Sequence, residues 1–312
     1  MKKHKICKIL LVILAIFLCV AFYELLGICV AYKKQPEVSN TTKKETKNGS
    51  WNECSENTER AVIIEKNPEA LLQRVRLIKN AKKEIILSTF AFQSDESGKL
   101  ILGALHDAAD RGVHIRLLVD GMESWIDMEG NPYFYGLSSH ENVEIKLYNK
   151  ANPLKPWKMM GRMHDKYLIA DGKTYILGGR NTYNYFLGDF LGHKNYDRDV
   201  LVVCDEPEKE NSVNQLLEYF ETIWEQEDSG YFHDNKKLAN RKSVKNAVLE
   251  LQNGYQKYFE ENKERICDTD YTDETFETEK IALVSNPIHT GSKEPVVWYQ
   301  LGELMKKCKK IV

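Results

Sequence analysis

The chain has 312 residues, of which 42% are hydrophobic and 29% are charged, so it is long enough for one large domain or slightly more. Its formal net charge of −2 gives no overall electrostatic attraction to nucleic acid and leaves only local basic patches to supply one. The seven cysteines form no C-x-x-C pair and no zinc-type cluster, which argues against a structural zinc site.

The first 32 residues predict a membrane anchor. Lysines precede an apolar run over residues 9–31 that only Glu24 interrupts, and about 20 apolar residues cross a bilayer as a helix. The basic flank favours a cytoplasmic N-terminus and an extracytoplasmic body, although Lys33 and Lys34 weaken that orientation. A cleaved signal peptide is the alternative, but the run is long and has no clear small-x-small cleavage site. An uncleaved single-pass anchor is therefore the favoured interpretation.

The polar residues 33–59 predict a stalk between the anchor and the body. If the body lies outside the cell, four of the cysteines are candidates for disulfides, and free buried thiols explain them equally well. These four are Cys54, Cys204, Cys267 and Cys308.

Residues 60–235 predict an α/β domain. Strands are expected over residues 61–65, 84–92, 113–120, 142–149 and 196–205. Helices are expected from Asn67, as an N-cap followed by proline, and over residues 97–111 and 211–226. Strands that alternate with helices favour a layered domain with a largely parallel or mixed sheet.

Residues 236–280 predict a polar helical connector and an acidic linker. Beyond them, "IALVSNP" at 281–287 echoes "VIIEKNP" at 62–68, and "LMKKCKKIV" at 304–312 echoes "LIKNAKKEII" at 77–86. This repetition predicts that residues 281–312 begin a second, truncated lobe of the same kind. The alternative is chance, because Asn-Pro pairs and lysine-rich helix ends are common.

The stretch "MHDKYLIADGKTYILGGRN" at 163–181 places reactive side chains on one predicted β-hairpin, with Asp171 and Gly172 at its turn. Residues two apart in a strand share a face, so His164 and Lys166 are expected to point together. Gly178 and Gly179 then allow a close backbone approach that brings the amide of Asn181 to the same place.

An imidazole beside an ammonium and an amide forms a compact site for an anion. The ammonium and the amide can hold phosphoryl oxygens, while the imidazole attacks phosphorus or protonates a leaving oxygen. This chemistry requires no metal or other cofactor, and the sequence shows no carboxylate cluster of the kind that holds Mg²⁺.

These residues resemble the HKD motif of the phospholipase D superfamily, H-x-K-x4-D-x6-G-[GS]-x-N, at every fixed position. The matching residues are His164, Lys166, Asp171, Gly178, Gly179 and Asn181. The resemblance extends over roughly residues 60–226, where "NYDRDVLVV" is similar to the family's W-R-D strand with Tyr196 in place of tryptophan. With the anchor, the layout most resembles bacterial cardiolipin synthase-type proteins. It implies an α/β/α layered phospholipase D-like domain with a mixed sheet behind an N-terminal transmembrane helix.

The resemblance also implies roles for the residues. His164 becomes the nucleophile or the general acid, and Lys166 and Asn181 become phosphate ligands. Asp171 belongs to the same catalytic motif, although structural support is its more natural role. Asp199 matches the acid that orients the histidine, with Asp197 as a competitor two residues away on the same face.

The family reaction uses two HKD motifs, and this chain contains one. The resemblance therefore implies a membrane-anchored phosphodiesterase or phosphatidyltransferase that acts on phospholipid through a phosphohistidine. A missing half of the protein or a homodimer partner would supply the second motif. A nuclease of the same superfamily, acting on DNA or RNA, is an alternative that the anchor and the small net charge disfavour. An inactive half-domain with a binding role is another.

The segment before the motif, residues 152–162, mixes exposed apolar bulk with positive charge. Trp157, Met159 and Met160 lie among Lys155, Lys158 and Arg162. This mixture predicts either a lipid-facing loop beside the substrate or a packed connection within the fold.

Overall fold

The computed structural model describes residues 2–31, 33, 36–49, 59–204, 211–233, 235–278 and 281–307. The chain divides into two compact units. The first unit contains Met1–Asn48, Ala151–Arg162 and Val284–Val312, and the second contains Gly49–Lys150 and Met163–Leu283. The HKD residues all belong to the second unit.

In its described residues, the first unit contains three α-helices, α1 (Lys2–Ala31), α2 (Asn40–Asn48) and α10 (Val296–Lys307), with the loop Ala151–Arg162. Within α1, the segment His4–Ala31 contains an 18-residue window with a mean hydropathy of 2.9 and is long and apolar enough to cross a membrane, a test that signal sequences also pass. Helix α2 lies within the expected stalk, where the Ser39 hydroxyl accepts a hydrogen bond from the amide of Thr42 at 3.1 Å. Residues 50–58 of that stalk lie outside the described residues.

The second unit contains one mixed sheet with the strand order β8-β4-β3-β2-β5-β6-β7-β1-β9. Strands β2, β3 and β4 run parallel to one another, and the other neighbours pair antiparallel. The strands are β1 (Glu59–Ile64), β2 (Glu84–Thr89), β3 (His114–Asp120), β4 (Val143–Tyr148), β5 (Lys166–Ala170), β6 (Thr174–Gly178), β7 (Asp199–Cys204), β8 (Ser229–Tyr231) and β9 (Phe276–Thr278).

Helices cover both faces of this sheet. The helices are α3 (Asn67–Asn80), α4 (Glu96–Asp110), α5 (Gly121–Asp127), α6 (Pro132–Ser138), α7 (Ser212–Trp224), α8 (Lys242–Glu261) and α9 (Lys263–Cys267). On one face, Leu117 of β3 joins the core cluster with Leu102 of α4. On the other, the guanidinium of Arg116 lies 4.8 Å from the ring centre of Phe220 in α7. Neighbouring residues of a strand point to opposite faces, so the fold is the expected α/β/α arrangement with a mixed sheet.

The predicted elements of the domain agree with the structure to within a few residues, but the start of α3 differs. Lys66 occupies the N-cap without a side-chain hydrogen bond, and Pro68 follows early in the helix. The side chain of Asn67 instead accepts a hydrogen bond from Nε of Arg180 and donates one to the carbonyl of Asn195. Asn67 therefore joins distant parts of the chain rather than capping its own helix.

The prediction that residues 236–280 form a connector is wrong for helix α8. Its buried residues recur at helical spacing and pack against α4 and α6; they are Val244, Ala247, Leu251, Tyr255 and Phe259. A Cβ on Gly103 of α4 would lie 2.7 Å from the carbonyl oxygen of Leu251, so the two helices are in close contact. The α/β unit therefore extends to Leu283 rather than ending at residue 235.

The strand expected at residues 281–287 does not form, although α10 follows where the echo places a helix. Strand β1, the segment it echoes, is stabilised by pairing with β7 and β9. The start of a second lobe stays a prediction from the sequence. Among the described cysteines, Cys204 is buried, Cys267 is exposed and neither forms a disulfide, whereas Cys54 and Cys308 lie outside the described residues.

Candidate active site

The HKD hairpin forms as predicted, and its turn is held by Asp171. Asp171 and Gly172 have φ values of 53° and 63°, the left-handed pair that suits a tight β-turn. The carboxylate of Asp171 accepts hydrogen bonds from the amides of Lys82, Lys83 and Glu84 at 2.8, 2.7 and 3.0 Å. Asp171 therefore ties the turn to the start of β2.

Asp171 does not lie beside His164, because the whole of β5 separates the two residues along the chain. Grouping Asp171 with the catalytic residues is a sequence expectation that this placement does not support. Its three amide hydrogen bonds give it a structural role instead.

The opposite end of β5 meets the carboxyl ends of the parallel strands. Lys166 is paired with Thr89, the last residue of β2. The amide of Met163 donates a hydrogen bond of 3.1 Å to the carboxylate of Asp120, the last residue of β3. Carboxyl ends of parallel strands are where open α/β sheets bind ligands, because the connecting loops diverge there. The sheet thus presents His164 at a suitable edge.

Phe90 joins His164 and Lys166 into one cluster. The imidazole of His164 meets the Phe90 ring edge-on, with centroids 4.5 Å apart. The ammonium of Lys166 lies 5.2 Å from the centre of the same ring and donates a hydrogen bond of 2.8 Å to the carbonyl of His164. His164 is exposed, so its imidazole faces solvent, whereas the ammonium of Lys166 beside it is buried.

Burial changes the titration of Lys166. Desolvation lowers the pKa of its ammonium to about 8, against the opposing effect of the negative charges of Asp165 and Asp197. A buried cation of this kind is stabilised when an anion binds, because the anion replaces the lost hydration. The site therefore favours a negatively charged ligand.

Asn181 reaches the cluster through the segment that follows Phe90. Its side-chain oxygen accepts a hydrogen bond of 3.3 Å from the amide of Ala91, and its residue is buried. The neighbouring Thr182 forms a parallel bridge with Phe92. This pairing places Asn181 beside Ala91, the residue that follows Phe90 in the chain.

The glycine pair makes room for two carboxylates. A Cβ on Gly178 would lie 2.1 Å from an oxygen of Asp199, and a Cβ on Gly179 would lie 2.1 Å from an oxygen of Asp197. Any side chain at either position would displace an acid. Glycine is therefore required because the chain at the start of β7 packs against both positions.

Asp199 is paired with two buried arginines in this arrangement. Its Oδ2 is paired with Arg74 at 2.9 Å and with Arg180 at 3.2 Å, and all three side chains are buried. Its other oxygen has no hydrogen-bond partner among the described residues. Asp199 balances two buried arginines, so its expected role in orienting His164 is not supported.

Asp197 is the acid of this pair whose charge acts on Lys166. It lies against Gly179, and its charge acts on the ammonium of Lys166 and on the guanidinium of Arg180. The sequence names Asp197 as the competitor of Asp199, and which of the two orients His164 stays a prediction. Among the described residues, no group of three or more His, Cys, Asp or Glu side chains has the arrangement of a metal site.

Sequence reasoning left two neighbours of the site undecided or unnoticed. Phe90 lies just after β2, and its contacts with His164 and Lys166 depend on how β2 meets β5. Arg180 occupies the variable position of G-G-x-N, yet it is fully buried and bonded to the carbonyls of Ile64 and Glu65. In the sequence, the only indication of this role was the position of Arg180 between two glycines and Asn181.

Residues 74–224 match the protein family described as "Cardiolipin synthase, PLD-like domain". This region is a phospholipase D-like domain. It contains the complete HKD hairpin and the helices α4 and α7. The phospholipase D-like domain lies wholly within the second unit, apart from the loop Ala151–Arg162.

Curated relatives align with the same part of the chain. Cardiolipin synthase C of Escherichia coli is 29% identical over 171 residues, which cover 50% of this chain and 34% of that protein. Cardiolipin synthase 1 of Staphylococcus aureus is 35% identical over 129 residues, 41% of this chain and 25% of that one. An uncharacterized protein of Helicobacter pylori is 29% identical over 63% of this chain and 39% of its own. The chain thus spans well under half the length of these relatives.

Solved structures show weaker likeness. Phosphatidylserine synthase of Haemophilus influenzae superposes with a TM-score of 0.47 and 17% identity over 71% of this chain and 48% of that chain. NucT from Helicobacter pylori gives a TM-score of 0.44 and 17% identity over 56% of this chain and 99% of that one. These values are too low to support an argument about function.

Proposed function

We propose that this chain is the catalytic part of a membrane-anchored phospholipase D-type enzyme. It cleaves the phosphodiester of a phospholipid and passes the phosphatidyl group to water or to an alcohol. The observation that carries the proposal is the pairing of exposed His164 with buried Lys166 on one phenylalanine ring. A nucleophile above a desolvated cation suits a phosphodiester anion better than a neutral substrate.

The first chemical step uses His164 as the nucleophile or as the general acid. As nucleophile, its ring nitrogen bonds to phosphorus while the bond from phosphorus to the leaving alcohol oxygen breaks. A second histidine gives its proton to that oxygen. Lys166 and Asn181 hold the non-bridging oxygens, whose negative charge increases in the transition state.

The second step reverses the roles. The second histidine takes a proton from water or from an acceptor alcohol, whose oxygen attacks phosphorus as the phosphorus–nitrogen bond breaks. Water gives hydrolysis, and an alcohol such as a second phospholipid gives transfer. No cofactor takes part in either step of this proposal.

The second histidine comes from a further HKD lobe of a longer protein or from a second copy of this chain across a two-fold axis. Helix α1 supports attachment to a membrane, and the lysines before it favour a cytoplasmic N-terminus with the phospholipase D-like domain on the other side. Phospholipid is then the substrate at hand.

The decisive experiment reconstitutes the full chain in phosphatidylglycerol vesicles and measures head-group release and cardiolipin formation. We expect His164→Gln to lower the rate at least about 10²-fold. The matched control is His140→Gln. His140 precedes β4 and so lies near the amino ends of the parallel strands, whereas Lys166 lies at their carboxyl ends. Full activity in His164→Gln would contradict the proposal. Cleavage of plasmid or single-stranded DNA without cleavage of lipid would identify a nuclease instead.

Mixing wild-type chain with His164→Gln chain tests where the second histidine comes from. If two copies form one site, activity falls with the square of the wild-type fraction. If each chain is active alone, the decline is linear. Inactive wild-type chain that regains activity when a second HKD lobe is added would identify a two-lobed enzyme. Inactivity under every condition would indicate a binding half-domain.

A further inference from the structure

The loop Ala151–Arg162 is docked on the end of helix α1, within the first unit. The hydroxyl of Tyr23 donates a hydrogen bond of 2.9 Å to the carbonyl of Leu154. Gly27 lies so close to the buried Pro156 that a Cβ on residue 27 would be 2.4 Å from the proline ring. This contact needs the glycine, because any larger residue would push the loop away.

One face of α1 is adapted to this contact. Most of the helix is exposed, whereas Ala21, Glu24, Gly27 and Ala31 are partly buried and recur every three or four residues. Glu24, which interrupts the apolar run, therefore lies on the same side as the glycine that meets the loop. An acidic residue in an apolar span is tolerated where protein rather than lipid surrounds it.

The docked loop sits at a definite depth. A helix rises about 1.5 Å per residue, so about 20 residues cross the hydrocarbon core of a bilayer. Counted from Ile9, where the apolar run begins, that length ends close to Ile28. Tyr23 and Gly27 therefore hold the loop at the boundary between acyl chains and headgroups, where tyrosine and tryptophan are enriched in membrane proteins.

The outward side of the loop carries apolar and basic groups together. Leu154, Trp157 and Met160 are 78%, 45% and 49% exposed, although Pro156 between them is buried. Lys155 is also exposed. Apolar side chains with an adjacent positive charge match a surface of acyl chains topped by anionic phosphates.

We infer that the loop Ala151–Arg162 is an interfacial lipid-binding element, held by α1 at the bilayer surface, with Leu154, Trp157 and Met160 inserted among the lipids. The chain continues from Arg162 directly into Met163 and His164, so the nucleophile lies two residues along the chain from a lipid-bound segment. The binding itself does not depend on catalysis. Its consequence, delivery of a membrane lipid to His164, rests on the proposed function.

Tryptophan quenching in vesicles tests the insertion directly. The full chain with Trp51→Phe, Trp125→Phe and Trp298→Phe keeps Trp157 and the buried Trp224. In vesicles of phosphatidylglycerol and phosphatidylcholine, lipids brominated near the headgroup end of their acyl chains should quench Trp157 fluorescence more than lipids brominated near the chain terminus. The same protein with Trp157→Phe gives the background from Trp224. Quenching no greater than this background would overturn the inference.

Two helix variants test whether α1 holds the loop. Gly27→Leu should abolish the quenching of Trp157, because the new side chain occupies the place of Pro156. Ala15→Leu is the matched control, since Ala15 lies on the exposed surface of the same helix and its enlargement should change nothing. Equal quenching in both variants would contradict the docking.

These measurements test the lipid-binding loop and the proposed enzymatic function independently. His164→Gln should retain full quenching, since it removes the chemistry and leaves the loop intact. Phospholipid cleavage without quenching would overturn the loop inference alone. Quenching without cleavage, even after a second HKD lobe is supplied, would overturn the proposed function alone.

Discussion

The carboxylate of Asp197 occupies the space in which Gly179 has no side chain. A Cβ on residue 179 would lie 2.1 to 2.4 Å from the two oxygens and the carboxyl carbon of Asp197. Because the charge of Asp197 also acts on Lys166, the second glycine of the motif leaves room for an acid that influences this lysine. The two glycines therefore have different neighbours: Gly179 lies against the side chain of Asp197, and Gly178 lies against Asp199 and the backbone of Arg198.

Gly179→Ala is expected to lower activity while leaving the fold intact, since the end of the Asp197 side chain can turn away. Gly178→Ala is the contrasting variant, because its Cβ would meet the backbone of Arg198 and Asp199 at 2.4 and 2.6 Å. It should destabilise the protein by about 1–3 kcal/mol. Thermal melts and lipid turnover, measured on both variants, separate the effects. Equal melting temperatures for the two would contradict this distinction.

The lowered pKa of Lys166 predicts how substrate binding depends on pH. The ammonium is charged below its pKa of about 8, so KM should rise as pH increases through 8. Lys166→Arg keeps its charge at higher pH, and its KM should stay flat across the same range, whatever its overall rate. A wild-type KM that stays constant from pH 7 to about 10 would contradict the assignment of Lys166 as the phosphate ligand.

Replacing Lys166 by an uncharged residue should increase stability while lowering activity. Desolvation disfavours the charged form, so the folded chain binds fewer protons than the unfolded chain between pH 8 and 10.5. The contribution of Lys166 to the free energy of unfolding therefore rises with pH over that window. Lys166→Met should be more stable than wild type below pH 8, and the difference should shrink as pH approaches 10.5. Denaturant unfolding at a series of pH values checks this, and a less stable Lys166→Met at pH 7 would contradict it.

Asp171 should matter for stability rather than for the chemical step. Asp171→Ala leaves three amides at the start of β2 without their acceptor, which costs about 1–3 kcal/mol. Asp171→Asn retains one acceptor oxygen and should lose less. Activity per folded molecule, measured below the melting temperature, should remain within about two-fold of wild type. A folded Asp171→Ala protein without activity would instead place the residue in the chemistry.

Asp199 and Asp197 make a matched pair for separating support from chemistry. Asp199→Asn removes the carboxylate that pairs with buried Arg74 and Arg180, a loss of about 3–5 kcal/mol in stability. Asp197→Asn should hardly change stability, because that residue is partly exposed. It should instead lower the pKa of Lys166 and shift the KM profile to lower pH. A marked loss of stability in Asp197→Asn alone would reverse the assignment.

The hairpin was predictable because its information is local. Alternation along β5 places His164 and Lys166 on one face, and Asp171 with Gly172 specifies the turn. Phe90 was not predictable in the same way, since its contacts require β2 to lie beside β5 and residue 92 to meet residue 182. The pairing of Asp199 with Arg74, which lies 125 positions earlier in the chain, was not predictable from local sequence either.

Helix α8 was misjudged for a different reason. Its five buried positions are spread through a polar sequence, and only the packing against α4 reveals them as a face. The polarity of the segment favoured a connector, because exposed positions outnumber buried ones on a helix that covers the outside of a layer.

Arg180 extends the phospholipase D-like domain beyond the boundary that sequence similarity gives it. The family match starts at Arg74, yet Arg180 is held by Ile64, Glu65 and Asn67. A recombinant fragment cut at residue 74 would therefore contain every motif residue and still lack the acceptors that seat the G-G-x-N segment. A piece of this protein that keeps the G-G-x-N segment seated begins no later than β1, so expression boundaries should follow the hydrogen bonds of Arg180 rather than the edges of the motif.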